Sequence, residues 1–289
     1  MENDKLRVKI YSKIDELPTL PVVLPKLLNL MEISRSNASD IAEAVSHDPA
    51  LTSKILKVAN SAYYGFSQEI STLQRAVPLL GFNMVRSLAL SIGVMNSLPA
   101  SKSSSDFSID GLWIHSLAVA TAIRELSTRL GKQDENESLF VIGLLHDIGK
   151  VVLNLFFSED FANALEEAKE SARHELHMAE RRIIGLDHGE VGGMLLTRWR
   201  FPDVIRNPIA CHHHTALPEE VSPFDVAVLK IANAVSQEVG LGVEGNPVPP
   251  EIDDEDLEIT GIDEKILEDI KVYLRDADEK INELFSAMT

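Results

Sequence analysis

The sequence holds a single cysteine, Cys211, so no disulfide can close within the chain and a reducing compartment fits it best. Basic residues are also in short supply: 27 Lys and Arg stand against 45 Asp and Glu, a formal net charge of −18. That balance repels phosphate backbones, because binding by counterion release needs clustered cations, and nucleic acid is not an expected partner. The N-terminus has no basic stretch leading into an apolar one, and no apolar run reaches the roughly 18 residues of a membrane span. The expected location is the cytoplasm, with no membrane partner.

What is present is ordinary globular material, 45% hydrophobic and 25% charged, which excludes a disordered chain. At 289 residues the chain is longer than a common domain of about 100–200 residues. Its periodicity is helical throughout, so the expected fold is all-α, in two packed helical lobes. The polar stretch Ala100-Ser101-Lys102-Ser103-Ser104-Ser105 cannot bury apolar area and sets the boundary near residue 100. Three segments result: a helical lobe over 1–100, a second over 101–240, and a tail over 241–289. The tail starts with a Pro-rich acidic stretch, Gly240 to Asp256, read as a solvated loop. It ends in an amphipathic helix carrying Ile262, Ile266, Ile270, Tyr273, Leu274, Ile281, Leu284 and Phe285.

In the first lobe, Asp48-Pro49 is a helix start, a cap followed by proline at the first helical position. Gly81-Phe82-Asn83 separates two further helices, Thr72 to Leu80 and Met84 to about Ser97. This outlines a helix-turn-helix, with Arg75 and Arg86 as conceivable phosphate contacts. The second helix, however, carries Val85, Leu88, Ala89, Leu90, Ile92 and Val94 in place of base-reading polar residues, so packing against other helices is the better reading.

The chemistry lies in the second lobe. The segment Leu139 to Phe157 is apolar all round yet contains His146-Asp147-Ile148-Gly149-Lys150. A buried carboxylate needs a partner, which a metal or a simple His–Asp hydrogen bond would supply. His115 sits on a helix from about Leu112 to Arg129 among apolar residues, and His188 opens another behind Asp187. Then comes Cys211-His212-His213-His214. Eight of the nine histidines fall between His115 and His214, several within apolar helices. Imidazole and carboxylate together suit Fe, Mn, Ni or Zn better than Ca or Mg. Cys211 reads as a small buried apolar residue, Lys150 as either a phosphate-contacting cation or a snorkelling lysine, and His47, His174 and His177 as surface residues.

His115, His146-Asp147, His188 and His212-His213 follow the order seen in the HD superfamily of metal-dependent phosphohydrolases, and resemble most its cyclic-di-GMP phosphodiesterase branch, the HD-GYP proteins. Leu17 to Pro21, His47-Asp48-Pro49-Ala50-Leu51, Val58-Ala59-Asn60-Ser61 and Leu80-Gly81 resemble the HDOD family, the HD-related output domains of bacterial signalling proteins. The resemblance covers roughly Ile14 to Gly240 and implies an HD-type helical bundle in the second lobe. It further implies that His115, His146 and Asp147 ligate a first divalent metal, and that His188, His212 and His213 serve a second, with Asp147 bridging. Where the superfamily closes the site with an aspartate, this chain has Asn233, a poorer ligand. The Gly-Tyr-Pro signature is absent after His213.

The expected function is that of a bacterial signalling HDOD protein with one or two transition-metal ions and a protein partner or nucleotide ligand, without efficient cyclic-di-GMP hydrolysis. The alternative is a metal-dependent phosphohydrolase acting on a nucleotide or cyclic dinucleotide, with Lys150 steadying a phosphate.

Overall fold

A computed structural model describes residues 2–32, 38–99, 107–132, 137–171 and 175–289; the polar stretch 100–105 and His174 lie outside the described residues. Among the described residues the structure is all-α, with no strand. It divides into two compact units, one formed by Met1–Leu17 with Pro99–Arg275 and the other by Pro18–Leu98 with Asp276–Thr289. Both units are therefore discontinuous in sequence.

The first helix, α1 (Glu2–Glu16), belongs to the larger unit. The smaller unit holds α2 (Val23–Glu32), α3 (Ala38–Ser46), α4 (Pro49–Ala59), α5 (Leu73–Leu80) and α6 (Phe82–Ser97). Asp48 caps α4, accepting from the Leu51 N–H at 3.0 Å, with Pro49 at the first helical position as its chemistry predicts. Past its end, Asn60 exchanges two 2.8 Å hydrogen bonds with the backbone of Ile70, pinning the turn that the sequence marks only as a stop. The α6 helix is buried along most of its length, and Arg86 is itself buried and directed at the Leu30 carbonyl. That helix has no exposed recognition face, and Arg86 is no surface cation.

The larger unit continues with α7 (Ile109–Arg129), α8 (Glu137–Leu145), α9 (Ile148–Phe156), α10 (Ser158–Glu170), α11 (Leu176–Ile183), α12 (His188–Arg198), α13 (Asp203–Cys211), α14 (Pro223–Val239) and α15 (Asp254–Thr260). The last helix, α16 (Glu264–Met288), contributes its first half to the larger unit and the remainder to the smaller. Its buried stripe is Ile270, Leu274, Ala277, Ile281 and Leu284; of the residues the periodicity marks, Ile266, Tyr273 and Phe285 are only partly buried.

Two expectations are corrected here. Ser138–Phe156 is long and apolar enough by composition to cross a membrane, against the expectation that no such run exists; 83% of it is buried inside the protein, as in a core helix. Nor is it one helix, because the chain turns at His146-Asp147 and restarts with Asp147 at the cap of α9. The stretch from Gly240 is likewise not wholly solvated. Leu241 and Glu244 are buried, and Val243 lies against Gly111 at the start of α7.

Candidate metal centre

Four elements aim polar side chains at one buried point. The α7 helix brings His115, the turn between α8 and α9 brings His146 and Asp147, the start of α12 brings His188, and the end of α13 brings His212 and His213. The helices approach closely because the contacts are made by glycines. A Cβ on Gly149 would collide with the His188 carbonyl, and one on Gly193 would come within 2.6 Å of the Ala210 Cβ. Asp187 and Glu190 form a reciprocal capping box that fixes the first turn of α12, and with it His188.

Of these six residues, His115, His146, Asp147, His188 and His212 are at most 2% exposed; His213 is half-buried. His115, His146 and Asp147 each offer a ligand atom in one cluster, and His188, His212 and His213 do so in a second, with the donor atoms of each cluster within 4.8 Å of one another. Asp147 lies between the clusters: its Oδ2 is 3.3 Å from His146 Nε2 and 4.0 Å from His115 Nε2, while its Oδ1 is 3.1 Å from His188 Nε2.

The hydrogen bonds set the tautomers. His146 Nδ1 donates to the Gly143 carbonyl at 2.8 Å and His212 Nδ1 to the Ile209 carbonyl at 2.7 Å. Each ring thus presents a bare Nε2, and both of these atoms, together with Asp147 Oδ1, are buried without a hydrogen-bond partner. Buried polar atoms are rarely left so, since the desolvation penalty is about 1–3 kcal/mol each. His213 Nε2 and His188 Nε2 are 2.8 Å apart, so the two nitrogens meet at one point of the centre. Orphaned acceptors, bare imidazoles and a carboxylate lying between the two clusters fit a divalent metal.

Charge follows burial. Burial drives the His115 imidazole down to about 4, with neighbouring His146 and Lys150 adding to the effect. His212 is driven to about 3 by burial and then by His188 and His146; both rings are neutral, the form a metal requires. Burial also acts against charge on His188, but Glu180 and Asp147 outweigh it and hold this ring at about 9. The Asp147 carboxyl resists burial and stays well below its usual range, through His146, Lys150 and His188.

Three participants were not found from sequence. Glu180 on α11 accepts from His188 Nδ1 at 2.6 Å. His177, expected at the surface, is half-buried and stacks on His213 with ring centroids 4.2 Å apart. It lies three residues before Glu180, so the i, i+3 pairing of a histidine with a carboxylate on one helix face was the available signal. Glu244 bonds to Lys150 from an irregular loop, where no periodicity could have marked it. Lys150 is fully buried and also donates to Asp147 Oδ2 at 2.8 Å; it does not reach solvent. Asn233 Oδ1 is 3.0 Å from His115 Nε2 and accepts from Gln237 at 3.0 Å. Cys211 packs with Val221 and Val226, away from the ligand role.

The sequence profile of the HDOD domain matches residues 17–215. The chain belongs to the HDOD family. An uncharacterised protein of Treponema pallidum (strain Nichols) is 28% identical over 233 residues, 80% of this HDOD chain but only 44% of the Treponema protein. Among solved structures, an HDOD domain protein of unknown function from Geobacter sulfurreducens has 26% identity and a TM-score of 0.74, covering 98% of this chain and 96% of its own. A Marinobacter aquaeolei VT8 protein, named as a candidate signal transduction protein, superposes with a TM-score of 0.82 at 19% identity. It covers the whole HDOD chain and 66% of its own length.

Proposed function

We propose that this HDOD protein is a bacterial signalling module in which a divalent transition metal, of the Fe, Mn, Ni or Zn type, clamps the α8–α9 turn, α12 and α13 together. Its output goes to a protein partner or a nucleotide ligand, and it does not hydrolyse cyclic di-GMP efficiently. The observation that carries this reading is the sealing of the donor set: five of the six donor residues are at most 2% exposed, whereas a phosphodiester substrate needs open access to the reacting centre. Asn233 in place of the closing carboxylate and the absence of Gly-Tyr-Pro after His213 support the same conclusion.

A second reading, a metal-dependent phosphohydrolase, is favoured by the number of donors gathered. A bound ion would supply Lewis acidity there. For phosphate contact Lys150 would have to leave Asp147 and Glu244, which hold it on both sides. The deciding experiment is elemental analysis of protein purified without chelator, paired with turnover assays on cyclic di-GMP. Stoichiometric metal without turnover above the protein-free rate is the expected result. Robust turnover would replace the signalling reading with the hydrolase, and absence of any transition metal would reject the clamp.

A further inference from the structure

The two halves of the centre are not equivalent in what their polar atoms already do. On the His188 side, the bare Nε2 of His212 and the Oδ1 of Asp147 have no hydrogen-bond partner. On the His115 side, His146 Nε2 is likewise without a partner, but the other two donor atoms are engaged within the protein. His115 Nε2 faces the Asn233 carbonyl oxygen at 3.0 Å. An oxygen can only accept there, so His115 Nε2 carries its proton and has no lone pair to offer. Asp147 Oδ2 takes a 2.8 Å hydrogen bond from the Lys150 ammonium. That ammonium is fully buried and gripped from its other side by Glu244, which Asn246 steadies through its side-chain amide at 3.0 Å.

We propose that Lys150, locked in place by Glu244, is a built-in cation that substitutes for one of the two metal ions, so that this chain binds a single divalent ion on the His188, His212 and His213 side of Asp147. The inference rests on the metal-clamp reading above and goes beyond it by fixing the stoichiometry and the residue responsible. An ammonium in contact with Asp147 Oδ2 repels a dication at that same oxygen, and the low polarity of a sealed site leaves this repulsion poorly screened. Glu244 makes the arrangement permanent, since without it Lys150 would have one carboxylate only. The loop from Gly240 thus has a defined task, closing the His115 half with an ion pair.

The experiment counts ions. Full-length protein, stripped and then dialysed to equilibrium against Zn²⁺, is expected to hold one Zn²⁺ per chain. Lys150→Met should raise that to two, because Glu244 and Asp147 Oδ2 then face each other as uncompensated carboxylates. Lys150→Arg, which keeps the charge, should remain at one, and adding Glu244→Gln to Lys150→Met should weaken the second ion at least tenfold. Two ions in the wild type, or one in a folded Lys150→Met, would overturn the proposal. No Zn²⁺ in the wild type would instead reject the clamp on which it stands. A readout independent of any variant is the electron paramagnetic spectrum of wild-type protein saturated with Mn²⁺. A magnetically isolated ion is expected, and an exchange-coupled pair would refute the single-ion centre.

Discussion

The Glu180 carboxylate accepts twice through its Oε2 from His188, from the backbone N–H at 2.9 Å and from the ring Nδ1 at 2.6 Å. This double contact orients the ring and commits Nδ1 to carrying a proton, turning Nε2 toward Asp147 and His213. Partners of this kind are worth about 10–100-fold in metal affinity. Glu180→Ala should therefore weaken Zn²⁺ binding by about that factor in a chelator competition titration, and an unchanged affinity would remove Glu180 from its positioning role.

Asp147→Ala should lose metal, and of the His146→Ala and Asp147→Ala variants it should be the more destabilised. The first removes a donor and leaves one carbonyl, Gly143, short of a partner. The second strips a fully buried ammonium of one of its two carboxylates, and breaking a buried ion pair costs about 3–5 kcal/mol. Melting temperatures of the two metal-free variants, compared side by side, test the order.

The metal-free protein should be most stable near neutral pH. His115 and His212 are held at about 4 and about 3 in the fold against about 6.5 when unfolded. Below pH 6.5 the unfolded chain therefore takes up protons that the fold refuses. Each ring should cost on the order of 2 kcal/mol between pH 6.5 and 5. His188, raised to about 9, acts with the opposite sign: its contribution is complete below 6.5 and is lost as pH rises through 9. Urea titrations at pH 5, 7 and 9 should show a maximum at the middle value; a steady rise from 5 to 9 would contradict the charge states assigned to these rings.

Gly149→Ala should destabilise although it adds helix propensity, because the new methyl group meets the His188 carbonyl across the α9–α12 contact. Overpacking of this kind costs about 1–3 kcal/mol, and at roughly 2–4 °C per kcal/mol for a unit of this size the melting temperature should fall by about 2–12 °C. Metal affinity should fall with it, since His188 is the residue displaced. A variant as stable as the wild type would show that the two helices can separate freely.

The helices were legible because their signals are local: Asp48-Pro49 starts α4, Gly81 divides α5 from α6, and the Ile270, Leu274, Ile281 and Leu284 stripe marks α16. The gathering of His115, His146, Asp147, His188, His212 and His213 was legible for a different reason: several histidines inside apolar helices asked for a common explanation, and the resemblance to the HD superfamily supplied the set. The break at His146-Asp147 was hidden because the apolar run continues through it without a Gly or Pro at the turn. Glu244 was hidden more thoroughly. A carboxylate in a loop rich in Gly, Pro and acid looks solvated until Lys150, 94 residues earlier, is seen to require it.

The α1 helix belongs to the same unit as Pro99–Arg275. It meets α12 through contacts such as the 2.8 Å pair between Arg7 and Glu190, 183 residues apart. At roughly 5–20 residues per second of synthesis, a newly made α1 waits on the order of ten to forty seconds at the ribosome before its partner helix exists. During that interval Ile10 and Ile14 of α1, both buried in the finished protein, lack the α12 partner. A helix near the start of this sequence is thus secured only once a helix nearly two hundred residues later has been made.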